Sequence, residues 1–287
     1  MKNTFVQKYC PFCNPSVEGL IILRRSKFVA RKCSKCHVIW CDPLRYDEEF
    51  HRSDEQAYLK VSDSGMRENE KRLHLLYPFA PPNSHLKLLE IGCMHGLFLS
   101  QARDKGYAVN GLDLSISAVK LAEEKLAGKV KLGTLDNKID NCTFDIICAF
   151  NVIEHMDDPH VFIREANRVL CKDGYLMLET PSQDSIYHYS MFLMARIFPH
   201  KNNEIGINPG GHIYKFGKKA WSNILSNNGY KVVMMKSVST PLKELLAKKV
   251  KTSSLITLVG LVIFGLLARL TGTGNRVLVL AKKNESE

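Results

Sequence analysis

The sequence predicts an α/β protein whose body is a doubly wound, mostly parallel sheet, and three observations lead there. Short apolar strands alternate with helices from Leu86 onward, the pattern of a parallel sheet covered on both faces. A glycine-bearing loop, Gly92-Cys-Met-His-Gly96, separates the first of these strands from its helix. Asp113 closes the second strand 21 positions after Gly92, close to the spacing of about 20 at which such an acid and loop serve one nucleoside ligand.

The chain has 287 residues, 45% hydrophobic and 24% charged. That composition excludes collagen, a disordered chain and a multispan membrane protein, and the length suffices for one large domain with a small appendage. The opening MKNTFVQKYCPFCNPS has no apolar stretch of secretory type, so the expectation is a cytoplasmic protein. Nine cysteines in a reducing compartment point to metal ligation rather than disulfides.

Taken in order, residues 1–43 read as a zinc ribbon. Cys10-Pro-Phe-Cys13 and Cys33-Ser-Lys-Cys36 are separated by nineteen residues, the spacing of two knuckles that share one tetrahedral zinc. The apolar runs at Leu20–Leu23 and Phe28–Ala30 fit a hairpin between them. Four thiolates close the coordination shell, so the zinc expected on Cys10, Cys13, Cys33 and Cys36 is structural. Cys41 and His37 lie just beyond as substitutes. Residues 44–84 read as a charged helical connector ending at Pro81-Pro82.

Residues 85–287 carry the sheet. Leu86–Ile91 is a strand, Leu97–Lys105 a helix, Tyr107–Leu112 a strand and Ser117–Leu126 a helix. Phe144–Phe150, a helix around Val161–Leu170, and Gly174–Thr180 continue the alternation, with Tyr230–Met235 and Arg276–Ala281 as last strands. Glycine lets the backbone approach a ligand at the loop, and an acid in the position of Asp113 accepts hydrogen bonds from ribose hydroxyls. The expected architecture is therefore a Rossmann-like, doubly wound, mostly parallel sheet with a small N-terminal zinc ribbon.

Leu88–Leu99, Val109–Ser115, Leu132–Leu135, Phe144-Asp145, Asn151–Pro159 and Arg168–Pro181 together resemble the motifs of class I S-adenosylmethionine-dependent methyltransferases. The resemblance covers roughly residues 86–283. Cys33–Pro43 is similar to the zinc knuckle preceding this domain in a bacterial subgroup. The resemblance implies S-adenosylmethionine as cofactor, with contacts from Glu90, Gly92, Cys93, Gly96, Asp113, Leu114, Thr134, Leu135 and Asn151. One departure stands out: Met94 occupies a position where the family usually has glycine.

Methyl transfer from a sulfonium is an in-line displacement, so the protein aligns the nucleophile and takes its proton. The candidates are Glu154 and His155, in the loop after the fourth strand, and His212. A packing role for the Glu-His pair is the plainer alternative. In ubiquinone-pathway O-methyltransferases, which the chain resembles, a Glu-x-x-Glu-His loop binds a divalent metal; here Asn151 replaces the first Glu.

Charge is concentrated at the two ends. Residues 1–40 hold eight Lys/Arg against one acid, residues 231–287 ten against three, and the middle is slightly acidic. Within an apolar insertion at about 240–273, Lys248, Lys249 and Lys251 precede fourteen uncharged, largely apolar residues, Leu255–Ala268. That run is shorter than the roughly 20 residues of a membrane span. It reads as an interfacial or substrate-covering helix, giving peripheral attachment to an anionic inner-membrane face, or else as an ordinary buried helix. The expected acceptor is a small molecule or lipid-linked compound, methylated at oxygen. An RNA-modifying enzyme using the basic ribbon is the second reading, and a noncatalytic relative the third. Nucleic acid is the weaker partner, because Asn151-Val-Ile-Glu154 is not the Asn/Asp-Pro-Pro-aromatic loop of base-flipping amino-methylating enzymes, and Phe5, Tyr9, Phe12 and Phe28 form no stacking ladder.

Overall fold

The computed structural model describes residues 6–13, 17–25, 28–42, 63–83, 85–135, 138–197, 212–239 and 271–284. Most of the apolar insertion, residues 240–270, the last residue of the ribbon unit, 43, and the first part of the connector, residues 44–62, lie outside the described residues.

Strands β1 (Leu20–Arg24) and β2 (Val29–Lys32) form the antiparallel hairpin expected between the cysteine pairs. A third strand, β3 (Ile39–Asp42), pairs with β2. Arg31 on β2 donates to Asp42 on β3 at 2.7 Å, with both side chains buried. After the connector helix α1 (Asp63–Leu76), the chain enters the main sheet through β4 (Lys87–Ile91), α2 (Leu97–Asp104), β5 (Ala108–Asp113), α3 (Ile116–Glu123), β6 (Val130–Leu132) and β7 (Phe144–Phe150). A 3-10 turn at Ile153–His155 leads to α4 (Pro159–Val169), β8 (Leu170–Pro181), α5 (Ile186–Ile197), β9 (Tyr214–Lys215), α6 (Lys218–Ser226), β10 (Tyr230–Val238) and β11 (Arg276–Lys283).

The main sheet has the order β10-β11-β8-β7-β4-β5-β6. Strands β8, β7, β4, β5 and β6 run parallel, while β11 is antiparallel to both of its neighbours. The chain leaves β4 on one side for β5 and β6, then returns to its other side for β7. That reversal opens a crevice at the carboxyl ends of the strands. The central strands are buried on both faces and their residues alternate between two cores. Leu89, Ile91, Ile147, Leu176, Leu178 and Val279 face α4 and α6, whereas Leu88, Ile146, Cys148, Met177 and Leu280 face α1, α2 and α3. The period of two follows from the pleat.

Local chemistry starts the helices. Ser115 accepts a hydrogen bond from the Ala118 N–H and opens α3. Asp158 accepts from His160 and Val161, with Pro159 as the first residue of α4. Gly96 opens α2 at φ +71°, and a Cβ there would stand 2.8 Å from Leu126 and 3.2 Å from Ala122, so glycine lets α2 and α3 approach.

β9 belongs to the other sheet, pairing with β3 to give the order β1-β2-β3-β9. The small sheet of the cysteine-rich unit therefore hydrogen-bonds, through β3, to a segment that lies beyond β8 in the chain. Phe12 meets the rings of Tyr214 and Phe216 edge-on at 6.1 and 5.7 Å, and Phe216 stacks on Trp221 of α6 at 4.3 Å. The ribbon and one face of the main sheet share a single hydrophobic core.

Candidate active site and metal centres

The β4–α2 loop is fixed by the second strand. Gly92 and Cys93 donate to the Leu112 carbonyl at 2.8 and 3.2 Å, and Met94 donates to Asp113 Oδ2 at 2.7 Å. Asp113 Oδ1 accepts from Ser115 N–H at 2.8 Å. A carboxylate has about four acceptor sites, so Asp113 keeps capacity for further donors while holding the loop. Gly92 has φ +69°, and a Cβ there would lie 2.5 Å from Val152. Met94 adopts φ +49°, so the glycine-like backbone survives with a side chain attached.

Around Asp113, Leu114, Ile116 and Leu132 are large apolar side chains left exposed, a wall suited to a flat apolar ring. Thr134 is exposed and Leu135 buried in the turn beyond. Cys93 is turned into the core, 4% exposed, so only its main chain faces the loop. Glu90 is buried with its Oε2 lacking a hydrogen-bond partner. Burial pushes its carboxyl up to about 8, against the pull of Arg72 and with the push of Asp113. These features fit a cofactor with ribose hydroxyls, an aromatic ring and a cationic or donor group near Glu90.

On the opposite side of β4, Asn151 takes φ +56° at the end of β7 and donates its N–H to the Glu179 carbonyl at 2.7 Å. Glu154 follows, wholly buried, with neither carboxylate oxygen hydrogen-bonded. Burial raises its pKa to about 8, while its own backbone N–H and Lys215 oppose that rise. The Ile213 N–H donates to the Glu154 carbonyl at 2.9 Å, which brings His212 beside the turn. The His155 and His212 rings are 4.9 Å apart, and His155 Nε2 is 4.0 Å from Glu154 Oε1. The three residues named from sequence as acid–base candidates thus form one cluster at the crevice.

The four ribbon thiols also converge. Cys10 and Cys36 Sγ are 3.4 Å apart and Cys13 and Cys33 Sγ 3.8 Å, near the roughly 3.8 Å edge of a tetrahedron with metal–sulfur bonds of about 2.3 Å. Lys35 and Cys36 N–H groups point at Cys33 Sγ at 3.3 and 3.4 Å, where backbone donors would stabilise a thiolate. Cys41 is buried outside this group, its N–H bonded to the Ile213 carbonyl.

A family model described as a methyltransferase domain matches residues 63–234. The chain belongs to that family. The ubiquinone biosynthesis O-methyltransferase of Pelagibacter ubique (strain HTCC1062) is 28% identical over 159 residues, covering 52% of this chain and 62% of that protein. The Bradyrhizobium diazoefficiens protein of the same name is 29% identical over 154 residues, covering 52% and 59%. The chain thus spans about three fifths of the length of these curated relatives. The geranyl diphosphate C-methyltransferase of Streptomyces coelicolor A3(2), solved with Mg2+, geranyl diphosphate and S-adenosyl-L-homocysteine, shares the fold. Its TM-score is 0.52 at 19% identity, covering 75% of this chain and 79% of that one.

Sequence reasoning missed Arg72, Glu179 and Lys215. Arg72 grips Glu179 through two hydrogen bonds of 2.9 Å and lies 4.2 Å from the centroid of the Phe150 ring. Lys215 is buried near Glu154, and burial lowers its pKa to about 8 although Glu154 works the other way. An acid inside the apolar strand Tyr175–Thr180 was the available signal for Glu179. Lys215 gave none, because β9 is too short to show a period.

Proposed function

We propose that this protein transfers a methyl group from S-adenosylmethionine to an oxygen of a small-molecule or lipid-linked acceptor. The observation that carries the reading is the pairing of an Asp113-anchored glycine loop with a Glu154–His155–His212 cluster across the carboxyl end of β4, within a methyltransferase domain. The O-methyltransferase names of its relatives support oxygen as the acceptor atom.

When bound, S-adenosylmethionine supplies an electrophilic methyl on a sulfonium. Asp113 would hold the ribose hydroxyls, Leu114, Ile116 and Leu132 would flank the adenine, and Gly92, Cys93, Gly96, Thr134, Leu135 and Asn151 would shape the pocket. Glu90 would face the cationic methionine end. The acceptor hydroxyl would lie against the Glu154–His155–His212 cluster, where an imidazole takes its proton as the new bond to carbon forms. The ribbon cysteines would hold one structural zinc. Incubation with labelled S-adenosylmethionine and a cell extract, followed by mass spectrometry for a metabolite heavier by one methyl, tests the reading. Label recovered only in RNA would replace it with the second one.

The same proposal extends to residues 248–271, which would attach the enzyme to anionic lipid or cover an apolar acceptor. Among the described residues no helix is long and apolar enough to cross a membrane. Flotation with anionic liposomes, lost when Val262, Ile263 and Phe264 are replaced by Ser, is the expected result. No flotation, with global unfolding of that variant, would make the run ordinary core.

A further inference from the structure

We propose that Cys142 and Cys171 form a redox-active dithiol, which a low-molecular-weight disulfide bearing carboxylates, such as glutathione disulfide, converts to a Cys142–Cys171 disulfide. The pair lies at the amino ends of β7 and β8, the opposite end of the sheet from the Asp113 loop and the Glu154–His155–His212 cluster. Cys142 is exposed and Cys171 half-buried. The Cys171 S–H donates to the Cys142 carbonyl at 2.9 Å, and the two thiols are themselves within hydrogen-bonding reach.

Two backbone irregularities bring them together. Cys142 takes φ +54°, a left-handed conformation that residues other than glycine seldom adopt, with its N–H bonded to the Arg168 carbonyl at 3.2 Å. On the other strand the register slips: Phe144 pairs with Leu170 and Ile146 with Tyr175, so Cys171–Gly174 bulge out opposite the single residue Asp145. In an unbroken ladder Cys171 would stand opposite Asp145, about 10 Å along the strand from Cys142; the bulge and the turn close that gap. Gly174 permits so tight a bulge, since a Cβ there would lie 2.9 Å from the Cys171 carbonyl and 3.0 Å from that of Asp145.

The surroundings divide the labour. Burial and the hydrogen bond to Cys142 raise the Cys171 pKa, so Cys171 stays protonated and the exposed Cys142 is the attacking thiol. Lys283, its Nζ bonded to the Asn167 and Leu170 carbonyls at 2.7 Å, sets a positive charge beside the pair against the negative one of Asp145. Lys172 is exposed next to Cys171, and carboxylates on the incoming disulfide meet these cations. The Cys142 thiolate attacks one glutathione sulfur, forming a mixed disulfide and releasing one glutathione thiolate, which takes a proton from water. Cys171 then attacks the Cys142 sulfur, and the second glutathione leaves with the Cys171 proton. Two electrons pass from the dithiol to the small disulfide, which ends as two thiols. The cross-link joins the ends of the segment that runs through β7, the Glu154–His155 turn and α4. Exposed disulfides of this kind belong to the labile, regulatory class, whereas Cys41, Cys93 and Cys148 are buried.

The test incubates full-length protein, prepared without chelator, with glutathione disulfide, then blocks free thiols by alkylation and maps the products by mass spectrometry. Wild-type protein should lose two hydrogens and yield one peptide pair joined through Cys142 and Cys171, reversed by excess reduced glutathione. Cys171→Ser should stop at a single glutathione adduct on Cys142, and Cys142→Ser should give neither product. Circular dichroism checks that each protein is folded. Absence of the Cys142–Cys171 cross-link in folded wild-type protein overturns the proposal. So does a glutathione adduct that persists on wild-type Cys142 as it does in Cys171→Ser, or cross-linking confined to the ribbon cysteines.

Discussion

Arg72 and Glu179, 107 positions apart in the chain, are joined by two parallel hydrogen bonds of 2.9 Å, and both side chains are buried. The pair fastens α1 to the carboxyl end of β8. Arg276 adds a third bond to Glu179 Oε1 at 2.6 Å. Burial alone would raise the Glu179 pKa, but the two guanidiniums outweigh it and hold it below the ordinary carboxylate value. Since Asn151 donates to the carbonyl of the same Glu179, this ion cluster also sets the start of the loop that carries Glu154 and His155.

Arg72→Ala should therefore destabilise the protein by about 3 kcal/mol, the lower end for breaking a buried pair because Arg276 still faces the carboxylate. Thermal unfolding checks this, with Tm expected to fall by several degrees. A variant with unchanged Tm would mean that the cluster contributes nothing net.

The parallel core was the legible part of the fold, because its strands are short apolar runs punctuated by glycine and by helices of clear period. The Cys10, Cys13, Cys33 and Cys36 group was legible from spacing alone. What escaped was long-range: β9 joining β3, Arg72 reaching Glu179, and Lys215 lying beside Glu154. Such pairings depend on where loops return, and no local pattern in Ile213–Phe216 marks a two-residue strand. Cys93 shows the converse limit, since a residue inside a recognisable loop motif turned its thiol to the core.

Metal analysis should find one tightly held zinc on the ribbon cysteines. Cys33→Ser should lose that ion and lower stability, while S-adenosylmethionine affinity stays within about threefold, which is less than 1 kcal/mol. Because β3 pairs with β9 and Cys41 donates to Ile213, the same variant should also loosen the segment that carries His212. Protein prepared without chelator and free of zinc would contradict this.

Stability should carry a pH signature from Glu90. Its carboxyl is raised in the folded chain, up to about 8, so the fold binds that proton more tightly than the unfolded chain does. The contribution is complete below about pH 4.3, the ordinary glutamate value, and is lost as pH rises toward 8. Glu90→Gln should flatten the fall in Tm between pH 5 and 8, measured without cofactor. An identical slope in both proteins would mean that Glu90 is solvated or paired.

The central claim is that the loop held by Asp113 binds S-adenosylmethionine, and titration calorimetry measures it directly. The wild-type protein should bind the cofactor saturably. Asp113→Ala should lose at least about tenfold, since a charged hydrogen bond contributes roughly 1.5 to 3 kcal/mol and the Met94 and Ser115 N–H groups lose their acceptor as well. Gly92→Val should lose as much, because φ +69° and the nearby Val152 leave a side chain no room. No measurable binding by the wild-type protein, or equal affinity in all three, would contradict the account.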